Sequence, residues 1–316
     1  MLKNVRIFKQ QQSIKLVLLI VAVFFNAIMK GYSNSLHNLI SDSNVTSTRK
    51  DAKDFIDKII ILAPSKYWPN IKPSLFLQNI KANIYNPISI YPGNGTNFCG
   101  YGALTYLLLL DDPLGYAKLL LQLYTNGNAT FGETHFNPSI SVKNAAGALK
   151  YKGILDIHPA EQMWYLSLAD HFKGYLNFFN KKYDLGDEDK FWASVNYAKF
   201  NRMIRNLMLY KVKANGSDLI RPRVGNLYDN IYDKVKNGTV VLFINNRIVH
   251  KKNHVMIKLG VPTHFIVVEK ISKENDIITL VYWDYGGKTL IQMSPAFLSR
   301  ITFGITYCTK TKTNAF

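Results

Sequence analysis

The sequence predicts an α+β fold: a helical N-terminal half with a lone cysteine at a helix start, followed by a C-terminal antiparallel sheet. Three observations carry this expectation. The turn formers Pro92-Gly93-Asn94-Gly95 lead to Cys99 and into the apolar, helix-compatible stretch Ala103 to Leu110. Through the middle of the chain, apolar and aromatic residues recur at helical spacing. From Gly238 the pattern changes to short β-branched and aromatic runs, punctuated by the hairpin signals Asn275-Asp276 and Gly286-Gly287. Helices in one block and strands in the next read as α+β.

At the N-terminus, Lys3, Arg6, Lys9 and Lys15 precede an apolar run from Leu16 to Met29 broken only by Asn26. That run is shorter than the ~20 residues of a membrane-crossing helix and suits the apolar core of a signal peptide. Gly31 and Ser33 allow a cut after Ser33, while Lys30 and Tyr32 crowd it. Residues 1–33 are therefore expected to be a signal peptide or an uncleaved membrane anchor. The protein is expected to be secreted, periplasmic or held at the cell envelope. Residues 34–50, polar and Ser/Asn-rich, read as a flexible lead-in.

Asp51 to Leu62 is the first expected helix, with Phe55, Ile56, Ile59 and Ile60 on one face. The proline-rich segment Ala63 to Pro92 is expected to be mostly irregular. After the Cys99 helix, Asp111-Asp112 before Pro113 and Asn126-Gly127-Asn128 read as turns. Helices are expected over Val142–Tyr151, Pro159–Phe179, Asp187–Tyr210 and Asn226–Lys236, with Pro159 in a first turn. Strands are expected over Thr239–Ile244, Val255–Leu259, His264–Ile271, Ile277–Asp284 and Thr289–Met293, with Ile301–Cys308 closing the sheet.

At 316 residues, 47% hydrophobic and 19% charged, the chain can bury a full core and is globular in composition. Lys+Arg 39 against Asp+Glu 21 gives +18, a charge that favours anionic partners. The lysines are dispersed, and no arginine-rich arm, zinc finger or RNA-recognition signature is present. A solvated basic surface is the better reading, and nucleic acid is disfavoured.

Cys99 at a helix start would face unpaired N–H groups and the positive end of the dipole, which stabilise a thiolate. His264 opens a strand after Val261-Pro262-Thr263, and Asp284 closes the next one. If those strands pair through Asn275-Asp276, the near-equal arms bring His264 and Asp284 to the same end of the hairpin, allowing a bulge. The carboxylate is expected to accept Nδ1–H and aim the other ring nitrogen at the thiol. The bland alternative is a structural cysteine or a disulfide with Cys308, the other cysteine of the chain.

The order Asn97-Phe98-Cys99-Gly100-Tyr101-Gly102, then Thr263-His264-Phe265-Ile266-Val267-Val268, then Tyr282-Trp283-Asp284-Tyr285-Gly286 resembles papain-like cysteine peptidases. Within these it is most similar to the bacterial domains that cut double-glycine leaders from bacteriocin precursors. The resemblance implies a papain-like domain over residues 51–316, with Cys99 as nucleophile, His264 as general base and Asp284 as its orienter. It covers the segment around Cys99 and the C-terminal sheet, but not the helical middle at about 126–237, which reads as an insertion. It usually brings a glutamine shortly before the cysteine as oxyanion donor. That place is Gly93 here, so Asn94 or Asn97 is expected to serve with the Cys99 backbone N–H.

Other candidates carry less. His135, His158 and His171 lack partners at metal-ligand spacing, and His250 and His254 are flanked by lysines, so no metal is expected. No phosphate-binding loop is present and no cofactor is implied. The Asn-x-Ser/Thr pattern occurs at Asn44, Asn94, Asn128, Asn215 and Asn237, and a glycan on Asn94 would block Cys99. The expected activity is an exported thiol hydrolase that cleaves a peptide or isopeptide amide through an acyl-enzyme. A cell-wall amidase or toxin using the same triad is a close variant. The alternative is a secreted papain-like binding or structural protein with an inert or disulfide-bonded Cys99. The expected partner is a peptide or protein substrate, including anionic cell-wall or envelope material, with membrane contact only through the N-terminal segment.

Overall fold

The computed structural model describes residues 47–149, 157–208, 210–245 and 262–310. The expected signal or anchor segment, most of the lead-in, the expected strand Val255–Leu259, and His250, His254 and Asn44 lie outside the described residues. Among the described residues, no helix is long and apolar enough to cross a membrane. The described residues all fall within one compact unit, of mixed α+β class with its six-stranded antiparallel sheet in the C-terminal half.

Helix α1 (Arg49–Asp57) starts inside the expected lead-in, where Thr48 and Asp51 form a reciprocal capping box. It stops short of Leu62, leaving Ile60 and Ile61 exposed. The segment expected to be irregular contains α2 (Pro73–Tyr85) and a 3₁₀ turn at Pro87–Ser89. Both begin with proline at the first helical position, where its missing N–H has no intrahelical partner to lose.

The central helix α3 (Cys99–Asp111) is buried along its whole length except at Leu110, which suits a helix that is apolar all round. Asp112 then caps α4 (Pro113–Asn126), its carboxylate accepting from Gly115 N–H at 3.0 Å. A small hairpin, β1 (Ala129–Phe131) with β2 (Thr134–Phe136), follows the turn at Gly127. The middle of the chain is less helical than expected. The helices are α5 (Ile140–Ala145), α6 (Pro159–His171), α7 (Tyr197–Met208) and α8 (Leu227–Asn237), with 3₁₀ turns at Tyr175–Phe178 and Asp187–Asp189.

The sheet is formed by β3 (Lys211–Gly216), β4 (Thr239–Ile244), β5 (His264–Glu274), β6 (Ile277–Asp284), β7 (Gly287–Met293) and β8 (Thr302–Thr309), in the order β3-β8-β4-β5-β6-β7. Every pairing is antiparallel. A short helix, α9 (Pro295–Ile301), carries the chain from the β7 edge back to β8. Both faces are covered. Val240, Leu242 and Ile244 join Ile231 of α8 and Leu298 of α9 in one core. On the other face Phe243 stacks between Phe265 and Tyr197, at 4.3 and 5.9 Å, and Phe200 stacks on Phe265 at 4.2 Å. A strand buried on both faces loses polar alternation, as β4 has.

The β5–β6 turn is Asn275-Asp276, with φ of 45° and 62°, as a tight primed hairpin turn requires. The β6–β7 turn lies one residue earlier than its glycines suggest. Asp284 pairs with Gly287, so Tyr285 and Gly286 are the turn residues, at φ of 39° and 84°.

Candidate functional site

Cys99 is the first residue of α3, and Phe98 before it supplies no side-chain cap. The first intrahelical bond runs from Gly102 N–H to Phe98 O at 2.9 Å. The N–H groups of Cys99, Gly100 and Tyr101 therefore precede the helix's own hydrogen bonding. Two glycines let this end of the helix be crowded. A Cβ on Gly100 would lie 2.8 Å from Val195 Cγ1, and one on Gly102 would lie 3.0 Å from Pro92 Cβ. Behind them the buried Lys199 donates from Nζ to the Tyr101 hydroxyl at 2.7 Å and to Ser194 O at 2.9 Å. Burial pushes the Lys199 pKa well down.

Strand β5 brings His264 to the same place. The Cys99 thiol donates to the carbonyl of Thr263 at 3.5 Å, across 164 residues of sequence. His264 is buried, and its Nε2 lies 2.5 Å from Asp284 Oδ1. This corrects the expected ring orientation: the carboxylate holds Nε2, not Nδ1. Nδ1 has no hydrogen-bond partner within bonding distance among the described residues. Burial acts to lower the imidazole pKa, but the Asp284 hydrogen bond and the neighbouring Cys99 outweigh it and raise it to about 9.

The approach of His264 and Asp284 depends on a bulge. Val268 pairs with Tyr282 but Lys270 with Val281, so Glu269 is an extra residue in β5. Continued from Val267↔Trp283, the register sets Asp284 opposite Ile266, which shares its face with His264. In a regular register continued from Lys270↔Val281, with Glu269 paired, Asp284 would fall opposite Val267 and point to the other face. Glu269 is itself fastened, accepting from the Tyr106 hydroxyl of α3 and from Lys288 Nζ at 2.9 Å.

The disulfide alternative is not formed: Cys99 and Cys308 are both free thiols. The sheet explains why. Along β4, Ile244 pairs with His264 while Thr239 pairs with Cys308. The two sites thus sit at opposite ends of one strand, roughly 16 Å apart at ~3.3 Å per residue, whereas a disulfide needs Cα atoms within ~7 Å.

The two asparagines are placed differently from the oxyanion role expected of them. Asn97 donates from Nδ2 to Lys190 O at 2.9 Å and to Ser194 Oγ at 3.1 Å, which engages both amide hydrogens. Asn94 is exposed and its backbone hydrogen-bonds the Tyr91 hydroxyl. The donors that remain at the thiol are the backbone N–H groups at the start of α3. His135 hydrogen-bonds Thr130 Oγ1 at 2.9 Å, His158 precedes α6, and His171 packs against Phe136 at 5.1 Å. Among the described residues no group of three or more His, Cys, Asp or Glu side chains could hold a metal.

Two features were missed from sequence. Tyr285 stacks on the His264 ring, centroids 4.6 Å apart and 9° from parallel. The run Trp283-Asp284-Tyr285-Gly286 places it beside the carboxylate, but only the hairpin geometry turns its ring onto the imidazole. Beside Cys99 also opens a cleft of about 310 Å³, to which the helical middle contributes Tyr175, Phe191, Val195, Asp218 and Leu219. No sequence signal joins those distant residues. No family model, no curated protein and no solved structure matches the chain.

Proposed function

We infer that this protein is a papain-like cysteine hydrolase that cleaves a peptide or isopeptide amide, with Cys99 as nucleophile, His264 as acid and base, and Asp284 as orienter. The observation that carries this is the buried His264, held through Nε2 by Asp284 with Nδ1 left for the thiol of Cys99. In an imidazolium, Nε2–H donates to the carboxylate and Nδ1–H faces the thiolate. Sulfur attacks the carbonyl carbon, and the oxyanion is met by N–H groups at the start of α3. On collapse the C–N bond breaks, the amine leaves with the proton from Nδ1, and a thioester remains. Neutral His264 then takes a proton from water as its oxygen attacks the thioester. The carboxylic acid departs and the proton restores the ion pair. The basic N-terminal segment with its apolar run supports export, and the +18 charge supports anionic envelope or cell-wall material as the target.

Alkylation by iodoacetamide, located by mass spectrometry, tests the reading with a built-in control. Cys308 is buried and its thiol is pushed up to about 12 by burial, so it should stay unlabelled in the folded protein. Cys99 should be labelled readily at pH 6, and His264→Ala and Asp284→Asn should each slow that labelling at least about tenfold. Labelling of Cys99 that is indifferent to both substitutions would sink the assignment.

A further inference from the structure

The cleft beside Cys99 differs in character from the rest of the molecule. The chain carries +18, yet among the described residues Asp218 is the charged one lining the cleft, and no described lysine or arginine lines it. The floor is Phe243, buried and stacked in the sheet, and Val195 beside Gly100. The rim is apolar and exposed: Tyr175 at 57%, Phe191 at 52% and Leu219 at 77%. The apolar rim continues outward, since Phe191 lies 6.2 Å from Phe179 and Phe179 lies 5.6 Å from Phe178. The Tyr175 hydroxyl hydrogen-bonds Asp218, whose Oδ1 also accepts Tyr197 N–H at 2.9 Å. The carboxylate is thereby fixed at the cleft wall.

We propose that this cleft is a specificity pocket for a large apolar side chain next to the scissile bond, and that it rejects an acidic one. This rests on the hydrolase reading for its purpose. A volume of about 310 Å³ is at the small end of the ~300–1,000 Å³ range of ligand pockets, so one side chain is its natural occupant. Exposed aromatic rings around a closed apolar floor gain by burial, and a fixed carboxylate repels a second one. The substrate class is therefore narrowed from any anionic polymer to a segment that is apolar, with no carboxylate, at this position. The general positive charge serves the remainder of the target.

The test compares rates of Cys99 alkylation by iodoacetamide, N-(2-phenylethyl)iodoacetamide and N-(2-carboxyethyl)iodoacetamide, each normalised to its rate with glutathione. The phenylethyl reagent should outpace the parent by about tenfold, ~1.4 kcal/mol, and the carboxyethyl reagent should fall below the parent. In Phe191→Ala and Leu219→Ser, both at exposed positions, the phenylethyl-to-parent ratio should drop toward that of glutathione. A ratio at Cys99 equal to that of glutathione, or a carboxyethyl reagent that is the fastest, overturns the pocket. The parent reagent's dependence on His264 decides the hydrolase reading separately. If that dependence is absent, the ratio still decides the pocket.

Discussion

Burial alone would strip the proton from His264, yet its pKa is raised to about 9 because Asp284 and Cys99 flank the ring. The folded-state value lies above the ordinary 6.5. The protonated form therefore contributes stability that is complete below pH 6.5 and lost as pH rises through 9. Tm should accordingly be higher at pH 6 than at pH 9.5, and Asp284→Asn should flatten that difference; thermal melts at the two pH values check it. Gly100 is a second residue with a physical reason for its identity. Gly100→Ala would set a methyl 2.8 Å from Val195 Cγ1 and should destabilise by about 1–3 kcal/mol, with partial recovery in the double variant with Val195→Ala, measured by urea unfolding. The Cys99-Gly100 pair was visible in the sequence. The reason for its glycine was not, because Val195 lies in the helical middle and no local pattern links the two.

At the scale of the element, the β5–β6 hairpin does the positioning. Its turn and both its ends were legible, since Asn275-Asp276 is a primed-turn signal and His264 and Asp284 close near-equal arms. A bulge was allowed for, but its position at Glu269 was not legible, because nothing in Ile266-Val267-Val268-Glu269-Lys270-Ile271 departs from a regular strand. Deleting Glu269 removes the unpaired residue and leaves Val268 opposite Tyr282 and Ile266 opposite Asp284, so labelling of Cys99 should keep its dependence on His264; alkylation of the deletion variant checks this. Other elements were missed for related reasons. Helix α2 was hidden by prolines that start helices as readily as they break them. The edge strand β3, Lys211 to Gly216, has only Val212 and Ala214 as apolar residues and no fully buried position, and exists through its ladder to β8.

Across the whole molecule, the site is assembled from parts remote in sequence. The first turn of α3 meets the start of β5, and the helical middle supplies one wall of the cleft. The division into helices and then strands could be read from periodicity, whereas the way the middle folds back beside Cys99 could not. Strand β8 has a structural role beyond its length, because it lies between β3 and β4. Removing residues 302–309 should leave β3 without a partner and β4 paired on one side only, and abolish cooperative thermal unfolding, which circular dichroism would show. The same placement sets a timetable for synthesis. Cys99 is made early, but the sheet that carries its histidine closes only when the chain has been extended through Thr309. At ~5–20 residues per second, that interval is about 10–40 s. On the proposed assignment the thiol has no completed base beside it throughout that interval, so the newborn chain would be chemically quiet until its last strand is in place.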